Sequence, residues 1–147
     1  MKKYDAVIIG TGCGSIIADE AMEHGLKTAM IDKGPLIGGT CLNYGCIPSK
    51  QLIYPADRVV EITESGKLGI TARVEKVDFG AILDRVRQSR QESQHDVRES
   101  LKQAEGLDFF EGEVSFTGDR TLEVNGEQPG VSPGPGVYTF FFSCHPF

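Results

Sequence analysis

At 147 residues the chain is long enough for one domain with a proper core and too short for two ordinary ones. Its composition, 39% hydrophobic and 24% charged, is that of a globular protein, and no apolar run approaches the length of a membrane span. With 21 acidic against 15 basic residues and a net charge of −6, nucleic acid and anionic membranes are disfavoured as partners.

Met1-Lys2-Lys3-Tyr4-Asp5 has the basic start of an export signal, yet the apolar stretch behind it spans only Ala6 to Ile9. Glycines follow at once, so Ala6-Val7-Ile8-Ile9 reads as a strand buried on both faces of a parallel sheet. A cytoplasmic location is expected. Gly10-Thr11-Gly12-Cys13-Gly14-Ser15 is a turn. Ile16 to His24 follows as a helix with Ile17, Ala21 and Met22 on one face, and Gly25 as its stop. Lys27 to Asp32 contains a second apolar run, Ala29-Met30-Ile31, that ends in an acid. Together these form a βαβ unit with a right-handed crossover.

The glycine-rich stretch from Pro35 to Gly45 is expected to be a loop. Pro48 opens a helix to about Ser65, ended by Gly66 and Gly69. Asp78 to Ala104 is the longest helical pattern, with Ile82, Val86, Val97 and Leu101 at helical spacing. Asp78 is its N-cap and Gly106 its terminator. Leu107 to Phe116 and Thr121 to Val124 alternate as strands, joined by a turn at Thr117-Gly118-Asp119-Arg120. No internal repeat is visible.

Gly10-x-Gly12-x-x-Ser15 follows a predicted strand and opens a predicted helix, the context in which a dinucleotide fingerprint has physical meaning. The first glycine permits a tight turn, and the second lets the backbone approach a pyrophosphate. A small residue in the third position, Ser15, allows close helix–strand packing. The pyrophosphate would rest on free N–H groups at the helix N-terminus. Asp32, 22 positions after Gly10, can accept hydrogen bonds from ribose hydroxyls. The competing reading is a doubly wound domain whose glycines merely turn the chain.

There are four cysteines, Cys13, Cys41, Cys46 and Cys144. Cys13 is read as filling space in its loop. Cys41 and Cys46 can close a small disulfide ring if the backbone coils between them. Cys46 precedes Pro48, which suits the first turn of a helix, and a thiolate there is stabilised by the dipole and the free amides. Lys50 falls one turn later on the same face. A zinc site would want four ligands, and His24, His95 and His145 show no ligand spacing, so no metal is expected. A structural disulfide or two reduced buried cysteines compete with a redox pair.

The run Gly39-Thr40-Cys41-Leu42-Asn43-Tyr44-Gly45-Cys46-Ile47-Pro48-Ser49-Lys50 resembles the active-site signature of the class I pyridine nucleotide–disulfide oxidoreductases. That family includes dihydrolipoamide dehydrogenase, mercuric reductase, glutathione reductase and mycothione reductase, and the resemblance covers about Tyr4 to Val124. It implies an α/β fold: a Rossmann-like FAD/NAD(P)-binding domain with a parallel sheet and an added β-hairpin, here incomplete. It implies that Cys41 attacks the substrate, that Cys46 faces the flavin, and that Lys50 lies beside the flavin ring. Gly10, Gly12, Gly14, Ser15, Asp32, Lys33, Gly39, Thr40, Cys41, Cys46, Lys50 and Val114 would contact FAD, Val114 through its backbone at the adenine. Electrons would pass between NAD(P)H, FAD, the Cys41–Cys46 disulfide and a dithiol, disulfide or lipoyl substrate, in a homodimer when the enzyme is full-length. Leu42-Asn43 and Ile47-Pro48-Ser49 lean toward the lipoamide and mercuric branches, and Ile9 to Ser15 with Asp19-Glu20 is similar to mycothione reductases. A stand-alone flavin-binding electron carrier is the alternative.

Beyond Gln128 the pattern changes. Pro129, Gly130, Pro133, Gly134, Pro135, Gly136 and Pro146 break every period, yet Val137-Tyr138-Thr139-Phe140-Phe141-Phe142 is apolar and aromatic. The expected division is therefore residues 1–128 as part of an FAD-binding domain with its redox disulfide, and 129–147 as an aberrant tail outside the fold. A shift of reading frame near Gln128, leaving an inactive fragment, is the corresponding expectation.

Overall fold

A computed structural model describes residues 2–118, 121–133 and 139–141, of which 127–133 and 139–141 are described by their backbone alone. The organising element is the run Ala6-Val7-Ile8-Ile9, strand β2, since β1 is the short Lys2–Tyr4 ahead of it. A turn and helix α1 (Gly14–Glu23) return the chain to β3 (Thr28–Asp32), which pairs parallel with β2 from Ala6↔Thr28 to Ile9↔Ile31. This is the βαβ unit expected from the sequence. Short α2 (Gly39–Asn43) and long α3 (Cys46–Glu64) follow, then a 3-10 turn at Ser65–Leu68 and α4 (Phe79–Gln103). The chain ends in β4 (Leu107–Glu111), β5 (Val114–Gly118), β6 (Thr121–Val124), β7 (Glu127–Pro133) and β8 (Thr139–Phe141).

Two sheets result, a parallel one of order β4-β3-β2-β8 and a mixed one of order β1-β7-β6-β5. Because β2 and β3 lie inside the first, their side chains are buried on both faces. Ala6, Ile8 and Met30 pack against Ala18 and Ala21 of α1 and against Leu107. Val7, Ala29 and Ile31 point the other way, to Tyr4 and Leu122, with Val114 and Val124 beside them. Alternate residues of one apolar run thus serve two cores, which is why the run is continuous rather than alternating.

The long helix begins as expected. Asp78 is its N-cap, its carboxylate accepting the Ala81 N–H at 3.0 Å, and Val86 is its buried residue. α3 begins two residues before Pro48, at Cys46, so the proline lies within the first turn, where no backbone donor is lost.

Four features differ from the sequence reading. The loop expected from Pro35 to Gly45 contains α2, because Leu42 and Asn43 are buried and anchor one helical turn. The strand expected over Leu107–Phe116 is two strands in two sheets. Leu107–Glu111 lies parallel to β3, and at Gly112-Glu113 the chain leaves it, so Val114–Gly118 pairs antiparallel with β6. Asn125 holds the corner, accepting the Glu113 N–H at 2.8 Å and donating to the Glu111 carbonyl at 3.2 Å. β1 pairs with β7, a partner far away in sequence. Finally, the stretch assigned to an outlying tail supplies backbone to both sheets: β7 extends to Pro133, and β8 pairs parallel with β2. An apolar, β-branched and aromatic run suits the open edge of a parallel sheet. Asp119 and Arg120 of the expected turn, and Cys144, lie outside the described residues.

Candidate active site

Two glycine-rich segments meet at the C-terminal ends of β2 and β3. Gly10 leaves β2 with φ 101° and donates its N–H to the Ile31 carbonyl at 2.8 Å, so the turn stays tied to the neighbouring strand. The next residue, Thr11, is buried and acts as a hub. Its N–H and hydroxyl both donate to the Asp32 carboxylate, at 2.9 and 2.5 Å, and its hydroxyl accepts the Gly38 N–H at 2.8 Å. The other carboxylate oxygen of Asp32 accepts the Gly34 N–H at 3.0 Å. One polar chain therefore joins the fingerprint turn, the acid at the end of β3 and the loop leading to the cysteines.

The contact at the centre is backbone on backbone. A Cβ built on Gly39 would lie 2.5 Å from the Gly12 Cα, and one built on Gly12 would lie 3.3 Å from the Gly39 Cα. Any side chain at Gly39 would force the two segments apart. Helix α1 then starts at Gly14 with no side-chain cap, Cys13 being its exposed N-cap residue. Ser15 turns back on its own loop, its hydroxyl donating to the Gly12 carbonyl at 2.9 Å.

The thiols come together through a second tight turn. The N–H groups of Tyr44 and Gly45 both donate to the Thr40 carbonyl at 2.8 Å, folding the end of α2 onto the start of α3. A Cβ at Gly45 would come within 3.2 Å of that same carbonyl oxygen and 3.5 Å of the Cys41 Cα, so a glycine lets the chain pass beside Cys41. Cys41 and Cys46 are exposed, unlinked thiols close enough for Cys46 to affect the ionisation of Cys41. Hydrogen bonding to the neighbouring Cys46 thiol, ahead of desolvation and the charge of Cys46, raises the Cys41 thiol above its ordinary pKa. Cys46 is the first residue of α3, whose amides carry no side-chain cap.

Asn43 pins this assembly and was not among the site residues read from the sequence. Its amide donates to the carbonyls of Leu36, Ile37 and Gly39 at 3.1, 3.1 and 2.7 Å, while its oxygen accepts from Gln94 of α4. Arg98 of α4 reaches the same loop, bonding Glu111 at 2.9 Å and the Pro35 carbonyl at 3.3 Å. Thr11, Asn43 and Gln94 are all ordinary polar residues in the sequence, and only the fold reveals that they bridge segments.

Most of the sequence-predicted site residues are brought together. Gly10, Gly12, Gly14 and Ser15 form the β2–α1 turn, Asp32 ends β3, and Gly39, Thr40 and Cys41 lie on α2 beside Gly12. Lys33 is exposed next to Asp32. Val114 opens β5, near the same edge, because the Gly112 N–H donates to the Asp32 carbonyl at 2.8 Å. Lys50 stands apart from the glycine cradle, exposed on α3 one turn beyond Cys46 and facing α4. Among the described residues no group of three or more His, Cys, Asp or Glu is disposed to hold a metal ion, and no helix is long and apolar enough to cross a membrane.

Residues 4–130 match the family model of the pyridine nucleotide-disulphide oxidoreductases. The chain belongs to that family. Among curated oxidoreductases of this kind it is 36% identical over 129 residues to the dihydrolipoyl dehydrogenase of Chlamydia trachomatis, covering 87% of this chain and 27% of the relative. It is 34% identical to the mercuric reductase of Staphylococcus aureus, over 84% of this chain and 23% of the relative. To the mycothione reductase of Mycobacterium tuberculosis it is 41% identical over 86 residues, 58% of this chain and 18% of the relative. A solved HOCl-induced flavoprotein disulfide reductase from Escherichia coli, as its Cu(II) complex, superposes with a TM-score of 0.69 at 26% identity. That match covers 90% of this chain and 27% of the other. The chain thus spans about a quarter of the length of these disulfide oxidoreductases.

Proposed function

We propose that this chain is the FAD-binding, dithiol-bearing part of a flavin-dependent disulfide oxidoreductase of the dihydrolipoyl dehydrogenase type. The observation that carries the reading is the contact of two glycine segments that sets the Cys41–Cys46 pair beside the fingerprint turn. The residues fit the cofactor. Gly12 and Gly39 leave no side chain between the segments, the N-terminus of α1 has no side-chain cap, and one Asp32 oxygen accepts, among the described residues, only the Gly34 N–H. Gly10, Gly12, Gly14 and Ser15 would hold the pyrophosphate, Asp32 and Lys33 the ribose side, Gly39 and Thr40 the opposite wall, and the Val114 backbone the adenine. FAD supplies the two-electron chemistry between a nicotinamide cofactor and the thiols.

In this reading residues 1–128 contain the cofactor site. Cys41, raised and exposed, exchanges with a dithiol or disulfide substrate, Cys46 at the helix start faces the flavin, and Lys50 lies beside the ring. NAD(P)H turnover, a homodimer, a lipoyl substrate and a cytoplasmic setting are proposed for the whole oxidoreductase, together with the parts of its relatives that this chain does not span. A mycothione reductase type is the second reading, favoured by the higher identity, 41% over 86 residues.

The test is reconstitution of the purified chain with FAD, followed by its visible spectrum and peptide mapping of the oxidised thiols. Retained flavin and a Cys41–Cys46 linkage are expected. A chain that retains no flavin while forming that linkage would refute the cofactor assignment.

A further inference from the structure

Three polar residues are buried among those described, and they hold different things. The Thr28 hydroxyl donates to the Leu26 carbonyl two residues away, and Asn43 bonds loop carbonyls and Gln94. Thr11 takes hold of a charged group. Its hydroxyl donates to Asp32 Oδ2 at 2.5 Å and accepts the Gly38 N–H at 2.8 Å, while its own N–H donates to the same Asp32 oxygen at 2.9 Å. A threonine is stiff at χ1, and a hydroxyl that donates and accepts at once is held in one orientation.

The consequence falls on Asp32. A carboxylate offers about four lone-pair sites, shared between its two oxygens. Thr11 occupies Oδ2 with two donors, and the Gly34 N–H donates to Oδ1 at 3.0 Å. Among the described residues the acceptor capacity left on Asp32 is therefore on Oδ1. The χ2 torsion of an aspartate is soft and nearly two-fold, so nothing in the side chain itself keeps the two oxygens in their places. The hold on Oδ2 does. The Thr11 N–H survives substitution by any residue but proline, and the hydroxyl is what threonine adds. Gly38, which donates to that hydroxyl, is the N-cap residue of α2, so the acid is oriented against the helix that carries Cys41.

We propose that Thr11 is the positioning residue for the adenosine end of the cofactor: its hydroxyl fixes Asp32 Oδ2 so that Oδ1 accepts a ribose hydroxyl, and the site selects nucleotides that carry one. The inference deepens the FAD reading and rests on Asp32 lying at the ribose. A site built to pair with a hydroxyl rejects the analogue that lacks it, because the carboxylate oxygen then loses both water and partner.

The test is calorimetric titration of the purified chain with ADP and with 2′,3′-dideoxy-ADP, which keeps the adenine and pyrophosphate and lacks both ribose hydroxyls. The parent chain is expected to bind ADP about tenfold more tightly, the worth of one charge-assisted hydrogen bond. Thr11→Val keeps the N–H and removes the hydroxyl, and is expected to bring that ratio down to about twofold with the affinity for the dideoxy nucleotide little changed. Thr11→Ser restores the hydroxyl and is expected to restore the ratio. Should Thr11→Val fail to fold by circular dichroism, Thr11→Ala against Thr11→Ser makes the same comparison. A Thr11 that merely supports the loop would weaken both nucleotides alike and leave the ratio where it was. Equal affinities of the parent for the two nucleotides would overturn the proposal. A ratio lost in Asp32→Asn and kept in Thr11→Val would overturn the role of Thr11 and leave the ribose reading standing. A parent chain that binds neither nucleotide nor FAD would overturn both.

Discussion

Replacing Gly39 by alanine tests whether the two glycine segments really touch. Gly39 has φ 67°, so an alanine there adopts a left-handed conformation at a cost of about 1 kcal/mol. Its Cβ would lie 2.5 Å from the Gly12 Cα and 3.1 Å from the Gly12 nitrogen, both backbone atoms that no rotamer change can move. The segments must part by about 1 Å, which loosens the contacts lining them and adds about 1–3 kcal/mol. The sum, about 2–4 kcal/mol, is a large share of the stability of an ordinary domain. Gly25→Ala is the control, since Gly25 has φ 70° with nothing within 4 Å of its added Cβ, and it isolates the conformational part. Urea unfolding followed by circular dichroism should place the Gly39→Ala midpoint about 1–2 M below the parent, at unchanged slope, with Gly25→Ala well above it. Equal losses in the two variants would refute the close approach of the turn to α2, and with it the cradle.

Asn43→Ala removes the donor that serves three loop carbonyls and the acceptor of Gln94, so a loss of about 2–4 kcal/mol is expected. Hydrogen exchange should show the 34–39 loop opening first, and unchanged protection there would count against the arrangement. The raised Cys41 pKa means that its thiolate forms only at higher pH than in an ordinary cysteine. Its iodoacetamide alkylation should therefore rise late in a pH series. In Cys46→Ala the neighbouring thiol is gone, and the profile should move to lower pH; an unmoved profile would show that Cys46 is not the cause. Tyr4 donates to Asp108 at 2.5 Å, which lowers the Asp108 pKa, while burial and the same bond raise that of Tyr4. Stability from Asp108 is thus present above the unfolded carboxylate pKa and lost as pH falls through the lower folded value. Tyr4→Phe should weaken that acid dependence, measured by unfolding at pH 3 and pH 6.

The order β2, turn, α1, β3 and the helical character of residues 46–64 and 79–103 were legible because each rests on local chemistry. Apolar runs, glycine turns and the Asp78 cap act within a few residues of one another. The cysteine pair was legible for the same reason, its two members being separated by one short turn. Other features depend on residues far apart in sequence. Alternation could not say that Leu107–Glu111 and Val114–Gly118 belong to different sheets, because period reports a face and not a partner. The glycines of 35–45 suggested loop, while burial of Leu42 and Asn43 against distant segments made part of it helical. Asp32 was read as a ribose acceptor, and the fold shows that it first organises Thr11 and Gly34. The sequence by itself determined the strand–turn–helix unit and the dithiol, since torsional preference and short-range hydrogen bonds act along the chain. The polar chain Asp32–Thr11–Gly38, the Asn43–Gln94 bridge and the Gln51–Ser89 bond between α3 and α4 were decided by tertiary structure alone, since each joins groups that only packing brings within hydrogen-bond reach.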